Sequence, residues 1–302
     1  MGTINDILPS ELLYDIFVRL EFSSFEQLLA VSSTCKLWRR LIFDEWFLNK
    51  YFAFNHQKYL IGYWKFDEGH EHIGKDSSAI IEKSNISVWG KPTVENCFIG
   101  NCAVFDGRSS IDISVYDKCE YHTDIYSVSL WLFYDPCADG VSRTAISLYE
   151  YRQAWLQLSM FFQLGSIYVQ NKCRISDGQY MCDGATSEVK QEEWFHVVLC
   201  FNRNRQQLWI NGKLVNESDM SARNRLRQKP TLLNWSELPR DIPFNFHLGS
   251  ADQQHSQRWK GKLADVVVLS RWLKPIEIRA IYTQKVAFDK LNVGTYLFKD
   301  DK

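Results

Sequence analysis

A run of basic residues late in the chain has the composition of a site for an anionic group. Arg223, Arg225 and Arg227 alternate along a stretch that contains no acidic residue, and Trp235 follows shortly after. In an extended segment alternate residues share one face, which would group the three cations. Guanidinium groups suit carboxylates, phosphates and anionic glycans. Because residues 218–245 form an unusually long connection, and such loops are often functional, we predict substrate contact at these four residues, with a solvated loop as the alternative.

Paired carboxylates that could hydrolyse a glycosidic bond are weakly represented. A retaining glycosidase needs two carboxyl groups about 5 Å apart, so on one strand the acidic residues must be two or four positions apart. The nearest string, Glu217-Ser218-Asp219, follows a turn, and Glu68-Gly69-His70-Glu71-His72 has the composition of a loop. We interpret both as solvated loop charges and predict that the chain is not an enzyme. His196 is interpreted as a packed histidine with one hydrogen bond.

Composition favours a soluble globular protein without nucleic acid or a membrane as partner. The 302 residues carry a formal net charge of −1, with 45% hydrophobic and 15% aromatic residues. A balanced charge gives no electrostatic argument for nucleic acid or an anionic membrane. Residues 1–20 lack the basic start and apolar core of a signal peptide. We therefore expect a cytoplasmic location, with the nucleus as a second compartment, and reduced thiols for the eight cysteines.

The first fifty residues have helical periodicity. Leu13, Ile16, Phe17 and Leu20 recur with the spacing of one helix face. Ser24-Phe25-Glu26-Gln27 fits a capping box at the start of a second helix. A third helix is predicted from residue 33 or 34, and a short fourth over residues 44–52. So small a unit has a marginal core. It also carries more large apolar residues than three helices can hide, so another chain or the downstream domain must cover one face.

After residue 59 the pattern changes to short strands separated by turn signals. Asp106-Gly107, Asp177-Gly178 and Asn211-Gly212 punctuate segments rich in β-branched and aromatic residues, which predicts an antiparallel sandwich. Asn211-Gly212 suits a type I′ hairpin turn, and Lys274-Pro275 opens a last short helix. The strands are predicted at 60–66, 102–105, 127–133, 144–148, 155–161, 166–170, 195–201, 207–210, 246–248 and 263–269.

The N-terminal helices closely resemble the F-box. The similarity lies in Leu8-Pro9-x-Glu11-Leu12-Leu13-x-x-Ile16-Phe17-x-x-Leu20 and Leu28-Leu29-x-Val31-Ser32-x-x-Cys35-Lys36-x-Trp38-Arg39-x-Leu41, and it covers about residues 5–52. It implies docking onto a Skp-family adaptor and, through it, onto a cullin scaffold. The residues that match the family's adaptor-facing and core positions, and that we predict to bind the adaptor, are Leu8, Pro9, Ile16, Phe17, Leu20, Leu28, Val31, Cys35, Trp38 and Leu41.

Residues 60–285 resemble the laminin-G-like, concanavalin A-type sandwich. The similarity is carried in order by Tyr63-Trp64-x-Phe66-Asp67-Glu68-Gly69, Ser127-Val128-Ser129-Leu130-Trp131, Glu193-Trp194-Phe195-His196 and Trp259-x-Gly261-x-Leu263-Ala264-Asp265-Val266. The predicted fold class is α+β by domains: a small all-α F-box unit at 1–55, an all-β antiparallel jelly-roll sandwich at 56–285, and a C-terminal tail at 286–302.

The sandwich resemblance also implies a candidate calcium site, because many laminin-G-like domains bind this ion. Asp76 and Asp265 match positions that often hold an acidic residue in the family. Calcium requires several oxygen ligands, and Ala264 stands where a first aspartate of the closing motif is common. The alternative is that both aspartates cap turns and strand ends. No other cofactor is predicted.

Together the two resemblances predict the substrate-recognition subunit of an SCF-type ubiquitin ligase. The F-box would hold the Skp-family adaptor and cullin scaffold, while the sandwich captures an unidentified protein or glycoprotein. Catalysis would come from proximity alone, by raising the concentration of acceptor lysines near the transfer site. A cytosolic lectin-like receptor that uses the F-box to dispose of bound glycoproteins is the second hypothesis. A glycosidase with an accessory F-box is the third.

Overall fold

A computed structural model describes most of the chain as two compact units. The helical unit comprises Met1–Tyr59 and Asp289–Lys302, and the β unit comprises Leu60–Phe288. A helical region followed by a sandwich of two antiparallel sheets confirms the predicted fold class. The described residues are 9–19, 25–78, 84–115, 125–135, 141–150, 155–174, 180–202, 205–219, 244–251 and 257–299.

The helices begin where side chains can satisfy their free amide groups. Cys35 is extended, and its Sγ accepts the N–H of Trp38 at 3.4 Å. Asp44 Oδ1 accepts the N–H of Phe47 at 3.1 Å. Both contacts cap the first turn of the following helix. The helices are α1 (Ser10–Arg19), α2 (Phe25–Ser32), α3 (Lys36–Ile42), α4 (Glu45–Tyr59), α5 (Pro275–Gln284) and α6 (Val293–Lys299).

Aromatic rings from different helices form the core of the helical unit. The ring of Phe17 packs edge-on against Trp38 and Phe47, with centroids 5.1 and 6.4 Å away. Edge-to-face pairs of this kind add to the stabilisation that comes from burial. The buried apolar residues of the unit include Leu13, Phe17, Leu28, Leu41, Ile42, Phe47, Leu48, Tyr51 and Phe52.

The segment predicted as a C-terminal tail contains α6, which packs against α4. Gly294 N–H donates to Asn49 Oδ1 at 2.8 Å, and Thr295 Oγ1 donates to Glu45 Oε1 at 2.6 Å. A Cβ atom at Gly294 would lie 2.7 Å from the backbone oxygen of Glu45. Glycine therefore permits the close approach of the two helices, and residues from both ends of the chain build one unit.

Two antiparallel sheets form the β unit. Their strands are β1 (Leu60–Trp64), β2 (Ser84–Trp89), β3 (Thr93–Cys97), β4 (Gly100–Asp106), β5 (Ser110–Val115), β6 (Ile125–Tyr134), β7 (Arg143–Glu150), β8 (Trp155–Gln163), β9 (Ser166–Arg174), β10 (Tyr180–Glu188), β11 (Trp194–Asn202), β12 (Arg205–Ile210), β13 (Lys213–Asp219), β14 (Phe244–Leu248) and β15 (Lys260–Leu269). In the described residues, one sheet has the strand order β13-β12-β11-β6-β15-β4-β3, with β1 also paired to β15, and the other has the order β10-β9-β8-β7-β14-β5-β2.

The core lies between the two sheets because alternate residues of each strand face inward. On β5, Ile111 and Ile113 are fully buried in this core, and on β14 Phe246 packs against Trp64 with ring centroids 5.1 Å apart. The alternation places polar residues of the same strands on the opposite face. That face carries one of the candidate sites.

A bulge in β15 lets two strands share one of its edges. β15 pairs with β4 as far as Ala264 and with β1 from Val266 onward. The intervening Asp265 has φ of 50°, in the left-handed region, and the pairing with β6 shifts register at this point. Bulges re-aim the side chain at the extra residue, and here the side chain of Asp265 is buried.

The hairpin between β12 and β13 has the predicted turn. Asn211 and Gly212 both have positive φ, at 51° and 73°, as a type I′ turn requires. The amide oxygen of Asn211 also accepts the N–H of His196 at 2.9 Å, which ties the turn to β11.

No helix within the described residues has the length and apolar character needed to cross a membrane.

Candidate functional site

One face of α1 turns apolar side chains to the solvent. Leu12 is 49% exposed and Ile16 is 39% exposed. The two residues are four positions apart and therefore lie one turn above the other on the helix. Pro9, at the start of the helix, is also exposed. We call these three residues the α1 stripe. Its composition is that of a surface completed by a partner.

The structure divides the predicted adaptor-binding residues into three groups. Phe17, Leu28 and Leu41 are buried in the helical unit itself. Val31, Cys35 and Trp38 are half-buried, and Pro9 and Ile16 are exposed. Leu8 and Leu20 lie outside the described residues. The first group forms part of the core of the helical unit. Fewer residues are therefore accessible to an adaptor than the motif predicts.

Sequence reasoning did not select Leu12 as an adaptor contact, although it lies within the motif. Its position four residues before Ile16 is the signal that identifies it. On α4, the side chain of Trp46 is 54% exposed, and its ring centroid lies 5.3 Å from that of Tyr14. Lys50 Nζ lies 5.9 Å from the centroid of the same indole. The indole of Trp46 therefore has ring and cation contacts within its own unit. The exposed side chain of Leu12 is entirely apolar.

The two aspartates predicted to bind calcium meet through one tyrosine. Asp76 Oδ1 accepts the backbone N–H of Tyr63 at 2.7 Å, and Asp265 Oδ1 accepts the phenol O–H of Tyr63 at 2.6 Å. Asp265 Oδ1 also accepts the N–H of Phe288 at 3.0 Å, and Asp76 accepts the hydroxyl of Ser78. Both aspartates are buried.

These contacts match the alternative reading, in which the aspartates satisfy buried donors at strand ends. Calcium needs six to eight oxygen ligands. In the part of the chain that the structure describes, no group of three or more His, Cys, Asp or Glu residues is positioned to hold a metal ion. The donor set therefore fits hydrogen bonding within the fold, and calcium at Asp76 and Asp265 stays a prediction from the resemblance.

His196 is held inside the protein as a neutral side chain. Its ring lies 5.0 Å from that of Trp131, and its Nε2 lies 2.9 Å from Ser129 Oγ. Burial lowers the pKa of His196 to about 3, because a low-dielectric environment disfavours the charged form. This is the packed histidine with one hydrogen bond that the sequence predicts.

Glu217 lies on a strand and not, as predicted, in a loop. It belongs to β13, where it pairs with Gln207 of β12. Its carboxylate forms an ion pair with Arg205 and accepts a hydrogen bond from Gln207 at 3.3 Å. The hydrogen bond from Arg205 lowers the pKa of Glu217. A general acid requires the opposite shift, so this residue does not have the character of a glycosidase acid.

The face of the seven-stranded sheet that points away from the core carries a polar cluster. Asp112 on β5 lies opposite His247 on β14, and Asp112 Oδ1 lies 2.7 Å from His247 Nδ1. The second carboxylate oxygen accepts the indole N–H of Trp89 at 3.0 Å. Trp89 lies on β2 and is 48% exposed. A carboxylate, an imidazole and an exposed indole thus converge on one face.

The cluster continues along β5 and β14 and onto the neighbouring strand β7. Ser114 Oγ donates to Asn245 Oδ1 at 2.6 Å, and Ser147 Oγ donates to the backbone oxygen of Ser250 at 3.1 Å. Ser147, Asn245 and His247 are buried. We call Asp112, Ser114, Ser147, Asn245 and His247 the polar face, and Trp89 lies beside it.

Sequence reasoning missed the polar face because it did not predict β5. The signal was present as the alternation Ser110-Ile111-Asp112-Ile113-Ser114, which is typical of a strand with one polar side. The residues predicted to contact substrate, Arg223, Arg225, Arg227 and Trp235, lie outside the described residues.

Comparison with known protein families supports both units. The F-box-like family matches residues 6–53. The family described as the concanavalin A-like lectin/glucanases superfamily matches residues 106–279, which is more than half of the chain. The comparison with curated proteins found no match.

Solved structures with a similar fold include toxin binding domains. The binding domain of botulinum neurotoxin serotype G aligns with a TM-score of 0.56 and 11% identity, over 75% of this chain and 51% of that one. The binding domain of Paraclostridial Mosquitocidal Protein 1 aligns with a TM-score of 0.54 and 12% identity, over 76% and 53%. This chain spans about half the length of these proteins. At such identities the similarity shows the fold alone.

Proposed function

The chain belongs to the concanavalin A-like lectin/glucanase superfamily and carries an F-box-like domain, and from this premise we propose that it is the substrate-recognition subunit of an SCF-type ubiquitin ligase. The F-box-like domain implies binding to a Skp-family adaptor. The adaptor would connect the chain to a cullin scaffold, and the sandwich would hold the protein to be modified. Such a subunit acts in the cytoplasm or nucleus.

The α1 stripe is the observation that carries this proposal. Leu12 and Ile16 stay exposed although the helical unit has an aromatic core of its own. A core that is already formed by Phe17, Leu41 and Phe47 does not require these two side chains. Burying a leucine or isoleucine side chain gives about 1.5–3 kcal/mol, so covering the stripe with an adaptor would contribute substantially to binding.

The receptor role requires no catalytic residue in this chain. The ligase would act by holding a substrate near a ubiquitin-charged enzyme, which raises the effective concentration of its lysines. The described candidates for acid–base chemistry support this view. Glu217 is held in an ion pair that lowers its pKa, and burial lowers the pKa of His196.

The test is co-purification of the full chain with a Skp-family adaptor from a cell extract. We expect the double substitution Leu12→Asp and Ile16→Asp to abolish recovery of the adaptor, since it places two charges on the stripe. Leu164→Asp is the matched control, because Leu164 is 82% exposed at a turn of the β unit. Equal adaptor recovery by all three proteins, each with an unchanged melting temperature, would refute the proposal.

The same double variant also serves to find the substrate. A receptor that captures targets but cannot deliver them should retain proteins that the wild-type chain passes on for degradation. We expect a set of proteins that the wild-type chain retains only when the proteasome is inhibited. The double variant should retain the same proteins whether or not the proteasome is inhibited.

A lectin-like receptor is the second candidate, and the polar face is the observation that favours it. Binding sites for small polar ligands combine a few precisely placed polar groups with aromatic side chains. Asp112, His247 and the exposed ring of Trp89 provide that combination. On a glycan array this candidate predicts binding that Trp89→Ala removes. Absence of binding to every glycan would reject it and leave the ligase proposal intact.

A further inference from the structure

Two cysteines of the β3–β4 hairpin bring their thiols together at the edge of the eight-stranded sheet. Cys97 ends β3 and pairs with Gly100, and Cys102 lies two positions further along β4. Residues offset in this way across an antiparallel pair are diagonal neighbours on the same face. A hydrogen-bonding interaction between the two thiols lowers the pKa of Cys97 and raises that of Cys102. Neither cysteine is in a disulfide.

The two thiols differ in access and in charge. Cys102 is fully buried against Trp131 and Ala264, whereas Cys97 is only half-buried at the end of its strand. The hydrogen bond from Cys102 lowers the pKa of Cys97, although partial burial opposes this effect. The same hydrogen bond, together with burial, raises the pKa of Cys102. The more accessible sulfur is thus the one with the lower pKa.

Other described thiols lack this arrangement. Cys200 is fully buried, and burial raises its pKa to about 12. The sulfur of Cys35 accepts the N–H of Trp38 as the cap of α3. Since the thiolate is the reactive form of cysteine, Cys97 should be the fastest of these four thiols to react.

We propose that Cys97 and Cys102 form a thiol–disulfide exchange site, at which Cys97 attacks a small disulfide such as oxidised glutathione and Cys102 resolves the product. In the first step the Cys97 thiolate bonds to one glutathione sulfur, the glutathione S–S bond breaks, and a glutathione thiolate leaves and takes a proton. In the second step Cys102 loses its proton and attacks the sulfur of Cys97, which expels the second glutathione. Two protein thiols are oxidised to one disulfide, and one glutathione disulfide is reduced to two thiols.

The hairpin geometry makes this disulfide a reversible one. Diagonal neighbours have Cα atoms about 7–8 Å apart, whereas disulfides span about 4.4–6.8 Å, so the end of the hairpin must tighten slightly. β3 can follow this movement because, among the described strands, it pairs only with β4. A strained disulfide is the labile kind that small thiols can reduce again.

The hairpin tip links the thiols to a cluster of aromatic rings. Phe98 follows Cys97 and lies 4.7 Å from Trp131 and 5.5 Å from Trp194 between ring centroids. Tightening of the hairpin moves this ring relative to both indoles. The oxidation state of the thiols is therefore coupled to the aromatic surface of the sheet, whatever the chain binds.

The experiment incubates the native full-length chain with oxidised glutathione, quenches with acid and analyses the tryptic peptides. Residues 84–108 form a single tryptic peptide, because Lys91 precedes a proline, and this peptide contains Cys97 and Cys102 but no other cysteine. We expect it to lose two hydrogen atoms at least about ten-fold faster than glutathione adds to Cys200. Added reduced glutathione should restore the dithiol, and tryptophan fluorescence should change in step.

Two variants separate exchange at this pair from general oxidation. With Cys102→Ser, glutathione should remain attached to Cys97, because nothing resolves the mixed disulfide. With Cys97→Ser, modification of the peptide should fall to the rate of Cys200. A wild-type peptide that stays a dithiol while other cysteines react would overturn the proposal. So would a stable glutathione adduct on wild-type Cys97.

Discussion

The helical unit and the sandwich depart from ordinary burial in opposite directions. The helical unit keeps Leu12, Ile16 and Trp46 exposed. The sandwich keeps Ser147, Asn245 and His247 buried. Exposed apolar side chains that cluster on one face mark an interaction surface, whereas buried polar groups persist when they are hydrogen-bonded to one another.

The two units therefore offer different kinds of surface to a partner. The α1 stripe is complementary to an apolar partner and gains energy when water leaves it. The polar face is already connected internally, through Asp112 to His247 and through Ser114 to Asn245. A partner of the first needs a groove. A partner of the second would contact the neighbouring exposed ring of Trp89.

Two adjacent residues of α1, the exposed Ile16 and the buried Phe17, should differ most in their effect on stability. Phe17→Ala should lower the free energy of unfolding of the helical unit by about 3–5 kcal/mol, because it removes a buried ring. Ile16→Ala should stay within about 1 kcal/mol, because the side chain is exposed. Urea denaturation followed by circular dichroism measures both. Similar losses for the two variants would show that Ile16 belongs to the core.

The second prediction concerns the joining of the two chain ends. Gly294→Val should destabilise the helical unit by about 1–3 kcal/mol, as overpacking does, because its Cβ would lie 2.7 Å from the oxygen of Glu45. Hydrogen exchange should speed up in α4 and stay unchanged in β6 and β11. An unchanged exchange rate in α4 would mean that α6 does not contribute to the unit.

The third prediction tests the buried histidine of the sandwich by pH. Burial lowers the pKa of His196 from 6.5 to about 3. Between these two pH values the unfolded chain therefore binds a proton at this histidine and the folded chain does not. The stabilisation is complete above pH 6.5 and is lost as the pH falls toward 3, by up to about 1.4 kcal/mol per pH unit. His196→Asn should flatten this part of the stability curve. Parallel curves for the two proteins would contradict a neutral His196.

The smallest expected effect is that of calcium. A ligand present at a hundred times its dissociation constant stabilises a protein by about 2.7 kcal/mol. We expect less than about 0.5 kcal/mol from millimolar calcium, because Asp76 and Asp265 already accept hydrogen bonds from Tyr63. Thermal unfolding with calcium and with a chelator measures this. A large shift that Asp265→Asn removes would support the calcium site that the resemblance implies.

Periodicity predicted the central strands β6, β11 and β15 of the sandwich, but β5 and the edge strands β2, β3 and β10 were not predicted. β6, β11 and β15 are long apolar runs because both of their faces are covered, and each was predicted. The side chains described on the edge strands β2 and β3 are mostly exposed, and β10 is rich in polar residues. Edge strands are commonly kept polar to prevent further pairing, which removes the signal that prediction uses.

The candidate sites were predictable only in part for a related reason. The F-box motif contains Ile16 and Phe17 side by side, but the motif cannot say which of the two the chain buries. Burial depends on Trp38 and Phe47, which approach from other helices. The pairing of Asp112 with His247 joins residues far apart in sequence, so only the sheet order reveals it. The same holds for α6, whose contact with α4 depends on the close approach at Gly294.

Titration of the purified full-length chain with a purified Skp-family adaptor is the most direct test of the central claim. We predict saturable binding. Leu12→Ala and Ile16→Ala should each weaken the affinity by about thirty-fold, which corresponds to a loss of about 2 kcal/mol of binding free energy, as is typical of a residue at the centre of an interface. Leu164→Ala should leave the affinity unchanged. Wild-type affinity in both α1 variants, or no binding by the wild-type chain, would contradict the claim that the α1 stripe is an adaptor interface.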